Sequence, residues 1–191
     1  MSIVMTRFAY VIVVKSSRAG KSTTAHGLRK NLIQKQKKCA ISKYSNPLEI
    51  QVAHIIPRYM GKHITYNTNT ELNCWLLGTG LPTLFDSFHW TVDIFSFLDF
   101  NVDSESEFKS FLVIKDLPKE GSSQLSLYVN KVFNIPVRYF PSLYAHYYTY
   151  LMKNFCGENP YNSWNHIIES DVFKELCNME TTTEMRTFLL Q

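Results

Sequence analysis

The sequence has few of the residues that interrupt a fold, with seven glycines and seven prolines in 191 residues. This scarcity excludes long low-complexity linkers. No apolar run reaches the length of about 18 residues that a membrane-spanning helix needs, so no such helix is predicted. No two of the four cysteines form a C-x-x-C pair, which argues against a compact zinc site and fits reduced intracellular thiols.

The sequence also has only a small excess of positive over negative residues. The net charge of +4 suits binding a small anion such as a nucleotide phosphate, but it is too weak to indicate a nucleic-acid surface. We therefore expect no nucleic-acid partner and no membrane partner. The first 14 residues carry Arg7 within their apolar run and do not resemble a signal peptide, which predicts a cytoplasmic protein. The abundance of Asn, Lys, Phe and Tyr is compatible with an AT-rich genome such as that of a virus, which would place the chain in the host cytoplasm.

What is present is a large apolar fraction, 45% of the residues, in a chain of single-domain length. Apolar patterning predicts strands at 7–14, 38–44, 109–116 and 134–140. It predicts helices at 22–38, from 46 to about 57, at 121–133 and at 142–155. Residues 83–100 are expected to form a buried helix or helix pair, 165–170 a strand or a helix start, and the C-terminal residues a helix. This alternation is typical of an α/β fold with a parallel sheet.

The most informative stretch is "YVIVVKSSRAGKSTTAHGLRKNL", residues 10–32. It reads as a buried strand, a polar loop containing Gly20, Lys21 and Ser22, and a helix. Backbone N–H groups of such a loop bind phosphate, with the lysine on the β- and γ-phosphates and the hydroxyl on Mg²⁺. Lys15 stands where the phosphate-loop pattern has its first glycine. The competing interpretation is a strand, loop and helix with a merely solvated lysine and serine.

Taken with the following "ISKYSNPLEIQVA", this stretch resembles the P-loop kinases of the deoxynucleoside-monophosphate kinase and phosphomevalonate kinase group. The later stretch "FLVIKDLPKEGSSQL" resembles the strand that carries the metal-binding aspartate of that group, here Asp116. The resemblance implies a three-layer P-loop NTPase fold with a central, mainly parallel sheet. One domain would span 1–191, with an acceptor-binding or lid insertion at about 58–108.

The resemblance implies ATP-dependent phosphoryl transfer to a small acceptor, most simply a nucleoside monophosphate, with ATP and Mg²⁺ as cofactors. The catalytic residues would be Lys21, Asp116 and Arg18, and Mg²⁺ would be held by Ser22 and Asp116. The nucleotide-binding residues would be Lys15, Ser17, Ala19, Gly20, Lys21, Ser22 and Thr23. The partner would be a small nucleotide, with a homodimer as one possible assembly.

Two alternatives stay open. Lys15, Glu49 and Pro118 depart from the pattern of the kinase group and motivate a catalytically impaired nucleotide-binding protein with a regulatory role. A P-loop enzyme that hydrolyses its nucleotide is the other.

Several weaker candidates lie downstream. If 83–100 is helical, Asp86, His89 or Trp90, and Asp93 share one face, although a core helix with a few polar residues is the simpler interpretation. Arg138 and Lys153 could clamp a phosphate, and the tyrosines of "LYAHYYTYL" could stack on bases or pack on the core.

Overall fold

The computed structural model describes residues 25–62, 66–95, 106–115 and 124–191. The helices of these ranges are α1 (Ala25–Gln36), α2 (Leu81–Asp86), α3 (Phe140–Leu151), α4 (Pro160–Glu169), α5 (Asp171–Leu176) and α6 (Thr182–Leu189). The strands are β1 (Ile50–His54), β2 (Cys74–Gly78), β3 (Trp90–Val92), β4 (Glu107–Ser110), β5 (Leu112–Ile114) and β6 (Phe133–Pro136). Short 3-10 turns cover Arg58–Lys62, Gln124–Tyr128 and Val137–Tyr139, and a π-helical turn covers Met152–Cys156.

Every strand pair in these ranges is antiparallel and two-stranded: β1 with β2, β3 with β5, and β4 with β6. The prediction of a three-layer P-loop fold with a mainly parallel central sheet is therefore wrong. Its basis was that apolar runs indicate strands covered on both faces. A short antiparallel strand that lies between a helix and the core is also apolar on both faces, and β2 is such a strand.

Strand β2 is buried on both faces because two separate clusters cover it. Cys74 and Leu76 pack with Leu28 and Leu32 of α1, whereas Trp75 and Leu77 join the main core. Successive side chains of a strand point to opposite faces, so one strand serves both clusters. This packing holds the β1–β2 pair rigidly between α1 and the rest of the molecule.

The helix predicted from residue 46 is instead a turn followed by β1. The side-chain oxygen of Asn46 accepts a hydrogen bond from the backbone N–H of Leu48 at 3.1 Å, and its amide donates to Glu49 at 2.9 Å. Asparagine bonds its own backbone in this way both at helix starts and in turns, so the same signal fits either structure. The alternation of Ile50, Val52 and His54 then continues as a strand.

Four further expectations are wrong in whole or in part. Residues 38–44 form a turn in which Lys43 donates its backbone N–H to Cys39 at 3.1 Å. The described part of 83–100 holds the end of α2 and the strand β3. The described part of 109–116 is mostly strand, as predicted, but it is divided between β4 and β5. In the predicted helix 121–133, the described residues form a 3-10 turn and the start of β6. Each segment is too short in its regular part for periodicity to separate helix from strand.

Other expectations are confirmed. The described part of the helix predicted at 22–38 is α1, which ends where Lys37 adopts a φ of 59°. The tyrosine-rich helix predicted at 142–155 is α3 with its π-helical turn. The strand predicted at 134–140 is confirmed only in its first residues, which belong to β6, because the rest form a 3-10 turn and the start of α3. Residues 165–170 belong mainly to α4, which agrees with the helical alternative.

Besides the cluster between α1 and β2, the core has a main cluster around Trp75, Phe85 and Trp90 and a second cluster around Trp164. Helix α3 contributes to the main and the second cluster, since Leu143 lies in the main one and Tyr150 in the second. Within the ranges given above, no helix combines the length and the apolarity needed to cross a membrane.

Candidate functional site

The residues predicted to bind and transfer a phosphoryl group all lie outside the described residues. They remain predictions, as do ATP and Mg²⁺ as cofactors and the single-domain organisation with its insertion at 58–108. These residues are Lys15, Ser17, Arg18, Ala19, Gly20, Lys21, Ser22, Thr23 and Asp116.

The helix face predicted to join Asp86 to His89 or Trp90 does not form. Asp86 ends α2, whereas Trp90 begins β3 and is buried in the main core, where its Nε1 donates to Leu81 O at 3.3 Å. Arg138 donates to the hydroxyl of Tyr139 at 3.2 Å, with its guanidinium over the same ring. No shared helix face therefore joins Asp86 to Trp90.

A different polar group gathers at the end of β1. His54 is the last residue of this strand, is half-buried, and places Nε2 3.1 Å from Oδ1 of Asn69. Because that oxygen accepts a hydrogen bond, Nε2 carries the proton of the neutral ring, and Nδ1 is then the basic nitrogen. Within the described residues, Nδ1 has no hydrogen-bond partner.

The loop that carries Asn69 is fastened to β1 by Asn73, which is fully buried. Its Oδ1 accepts from Ile56 N at 2.8 Å, and its Nδ2 donates to Ile56 O at 2.8 Å and to Thr68 O at 3.0 Å. One side chain thus satisfies three buried backbone groups, each of which would cost about 1–3 kcal/mol if left unpaired. The loop geometry beside His54 depends on this residue.

Asp86 lies within electrostatic reach of His54, and Tyr59 lies within electrostatic reach of Asp86. Desolvation raises the pKa of Asp86, and the positive charge of protonated His54 opposes that rise. Desolvation also raises the pKa of Tyr59, with a further contribution from the negative charge of Asp86. A basic ring, a carboxylate and a phenol are therefore grouped where β1, the following 3-10 turn and the end of α2 meet.

Arg58 begins that 3-10 turn and is exposed. It lines a groove of about 420 Å³ together with His54 and Asn69. It also lines an adjoining groove of about 510 Å³ with Tyr59 and Asn69. The guanidinium offers several N–H donors beside the basic ring, an arrangement suited to a phosphate.

Residues 39–93 match a family model described as HNH endonuclease. The match covers under a third of the chain and contains the whole β1–β2–α2 unit with His54, Asn69, Asn73 and Asp86. No curated protein and no solved structure matches the chain.

This match overturns three expectations. The resemblance to P-loop kinases is contradicted, because the matching family is a nuclease family and the described sheets are antiparallel. Phosphoryl transfer to a nucleotide, and the nucleotide-binding regulatory alternative, are not supported. The expectation of no nucleic-acid partner also conflicts with the match, since endonucleases act on nucleic acid. The low net charge misled here because it averages over the chain, whereas binding depends on local charge.

A divalent metal is a common cofactor of nucleases, and the donors of the site provide a test for one. In the ranges that the structure describes, no three His, Cys, Asp or Glu side chains lie close enough together to hold a metal ion. His54 and Asp86 together fall short of such a set. The described donors therefore do not fit a metal site.

Sequence reasoning missed His54, Asn69 and Asn73 because it placed the first in a helix and the other two in a variable insertion. One signal was available. In the stretch "EIQVAHII", apolar Ile50 and Val52 alternate with polar residues, and this period of two is typical of a half-buried strand.

Proposed function

We propose that residues 39–93 bind nucleic acid and that His54 acts there as the general base in hydrolysis of a phosphodiester bond. The observation that carries this proposal is the HNH endonuclease match, which falls on the unit that holds His54 beside Asn69 and Arg58. The sequence alone pointed to phosphate chemistry but placed it between Lys15 and Thr23 and at Asp116.

In this mechanism Nδ1 of His54 takes a proton from a water molecule while Asn69 keeps the ring oriented through Nε2. The water oxygen forms a bond to phosphorus, and the bond from phosphorus to the leaving oxygen breaks. The leaving oxygen receives a proton from solvent. Arg58 stabilises the negative charge that builds on the phosphoryl oxygens in the transition state. Stabilisation of this kind is usually the largest single contribution to an enzyme's rate enhancement.

A second candidate is nucleic-acid binding without cleavage. The donor set favours it, because the described residues offer no cluster suited to a metal. Under this candidate His54 and Arg58 contact the phosphate backbone and no bond is broken.

One experiment tests both candidates. The full chain is incubated with supercoiled plasmid DNA, with and without added Mg²⁺ or Mn²⁺, and nicking is followed on gels while binding to a labelled duplex is measured by fluorescence anisotropy. His54→Ala is expected to retain binding and to lose cleavage by about 10²- to 10⁴-fold, the usual contribution of a general base.

His166→Ala is the matched control, because His166 is exposed on α4 and lies outside the matched segment. It should cleave as the wild type does. Binding without any nicking would favour the second candidate. The proposal fails if the wild type binds neither duplex nor single-stranded nucleic acid, or if His54→Ala cleaves at the wild-type rate.

A further inference from the structure

Two lysines from separate parts of the chain, Lys115 and Lys153, contact the turn Ser87–His89, which follows directly after Asp86. Nζ of Lys153 donates to Ser87 O at 2.7 Å and lies 4.8 Å from the centre of the Phe88 ring. The backbone N–H of Lys115 donates to His89 O at 2.9 Å. We name Ser87–His89 with Lys115 and Lys153 the cationic turn.

The backbone of the cationic turn is held in an uncommon conformation. Phe88 has a φ of 60°, in the left-handed region that costs a bulky residue about 1–3 kcal/mol. Lys153 belongs to the π-helical turn Met152–Cys156, and its neighbour Asn154 donates to Phe88 O at 3.0 Å. Both features are found preferentially at functional sites, and here the π-helical turn carries Lys153 and Asn154 to Ser87 O and Phe88 O.

The cationic turn keeps donors available for a ligand. An ammonium group has three donors, and Lys153 uses one of them on Ser87 O. His89 is exposed and binds Ser87 Oγ through Nδ1 at 3.0 Å, which leaves Nε2 as the outward nitrogen. Lys115 is exposed as well.

Lys115 and Lys153 both contact the turn Ser87–His89, and their like charges favour an anion there. Desolvation lowers the pKa of Lys153, and the nearby charge of Lys115 lowers it further. A bound anion between the two ammonium groups would relieve that repulsion. Lys115 and Lys153 lie outside the segment that matches the nuclease family, so the match does not account for them.

We propose that Lys115, Lys153 and His89 bind a phosphate of the nucleic-acid backbone and so extend the His54 site beyond residues 39–93. This inference rests on the proposed function. Asp86 links the two parts, because it interacts with His54 and directly precedes the cationic turn. A polymer with regularly spaced phosphates can reach both, and contacts of this kind position a nucleic acid without reading its sequence.

The test is the salt dependence of binding to a labelled 24-base-pair DNA duplex, measured by fluorescence anisotropy between about 50 and 200 mM NaCl. Lys115→Gln and Lys153→Gln should each weaken binding by about 3- to 10-fold at 100 mM salt. Each should also reduce the slope of log K against log salt by about 0.9, the value for one lost phosphate contact. Lys115→Arg keeps the positive charge and should bind with the affinity and the salt slope of the wild type.

Lys131→Gln is the matched control, since Lys131 is an exposed lysine in the turn before β6 and should leave the slope unchanged. Lys153 also holds Ser87, so circular dichroism must show that its variant is folded. Lys115 has no such role through its side chain within the described residues, and its variants keep the test decisive. Unchanged slopes for both glutamine variants, with a wild type that binds DNA, overturn this inference alone. A wild type that binds no DNA overturns the proposed function as well.

Discussion

His54 and His146 both interact with side chains of α2, yet their surroundings differ in almost every respect. His54 is half-buried at a strand end, with one amide partner and a groove beside it. His146 is buried in α3, stacked 3.7 Å from the ring centre of Phe85 at an angle of 6° and 5.0 Å from that of Phe88. Its Nδ1 lies 2.8 Å from Thr91 Oγ1.

The difference in surroundings separates an accessible histidine from a buried, structural one. Burial lowers the pKa of His146 to about 3, with a small opposing effect from its hydrogen bond to Phe85 O. The ring therefore stays neutral at ordinary pH and serves as a flat side chain with a polar edge. His54 lines the groove of about 420 Å³ that Arg58 also lines, so its ring is accessible to a ligand or to water.

The largest expected effect comes from removing the residue that builds the His54 loop. Asn73→Ala leaves three buried backbone groups unpaired and should lower the free energy of unfolding by about 2–4 kcal/mol. Urea denaturation followed by circular dichroism measures the loss. Asn178→Ala, at an exposed position, should change it by less than about 0.5 kcal/mol. Equal losses in the two variants would show that the loop does not depend on Asn73.

The next largest effect is the contribution of His146 to the pH dependence of the unfolding free energy. Its pKa in the folded state lies below the unfolded value of 6.5, so the unfolded chain binds a proton first. The contribution of the neutral ring is complete above about pH 6.5 and is lost as pH falls toward 3, at up to about 1.4 kcal/mol per pH unit. His146→Phe keeps a flat ring but cannot titrate. Unfolding free energies at pH 7, 6 and 5 should therefore fall more steeply for the wild type, and parallel curves would contradict this assignment.

A smaller effect tests the buried hydrogen bond of His146. Thr91→Val keeps the shape of the side chain but leaves the ring nitrogen without its partner, and it should cost about 1–2 kcal/mol. The double variant Thr91→Val with His146→Phe removes both polar groups. Its loss of unfolding free energy should be smaller than the sum of the two single losses by about 1 kcal/mol. Simple additivity in urea denaturation would mean that the two side chains are not coupled.

The smallest effect on stability is expected at the equivalent bond of His54. Asn69→Ala removes the partner of a half-buried ring that water can solvate, so the loss should stay below about 1 kcal/mol. Under the proposed function the same variant should nonetheless slow plasmid nicking, because the ring loses its orientation. A loss of stability as large as that of Thr91→Val would remove the contrast between the two histidines.

The sequence was most informative where a single local pattern decides the structure. Helices α1 and α3 are long enough for periodicity to identify them, and the apolar β6 lies between turn residues. The prediction of a helix at 46–57 was wrong because Asn46 and Pro47 fit both a helix start and a turn. Only the pairing of β1 with β2 selects the strand. The candidate site followed that error, since a helical His54 would not face Asn69.

The amino-acid sequence by itself determined that this chain has a large aromatic core, two well-defined helices and free cysteines. The tertiary structure decided which histidine is available for chemistry. His54 meets its partner 15 residues away, and His146 meets Thr91 and Phe85 across 55 and 61 residues. Local propensity does not include such contacts, because they form only when β1, α2, β3 and α3 pack together.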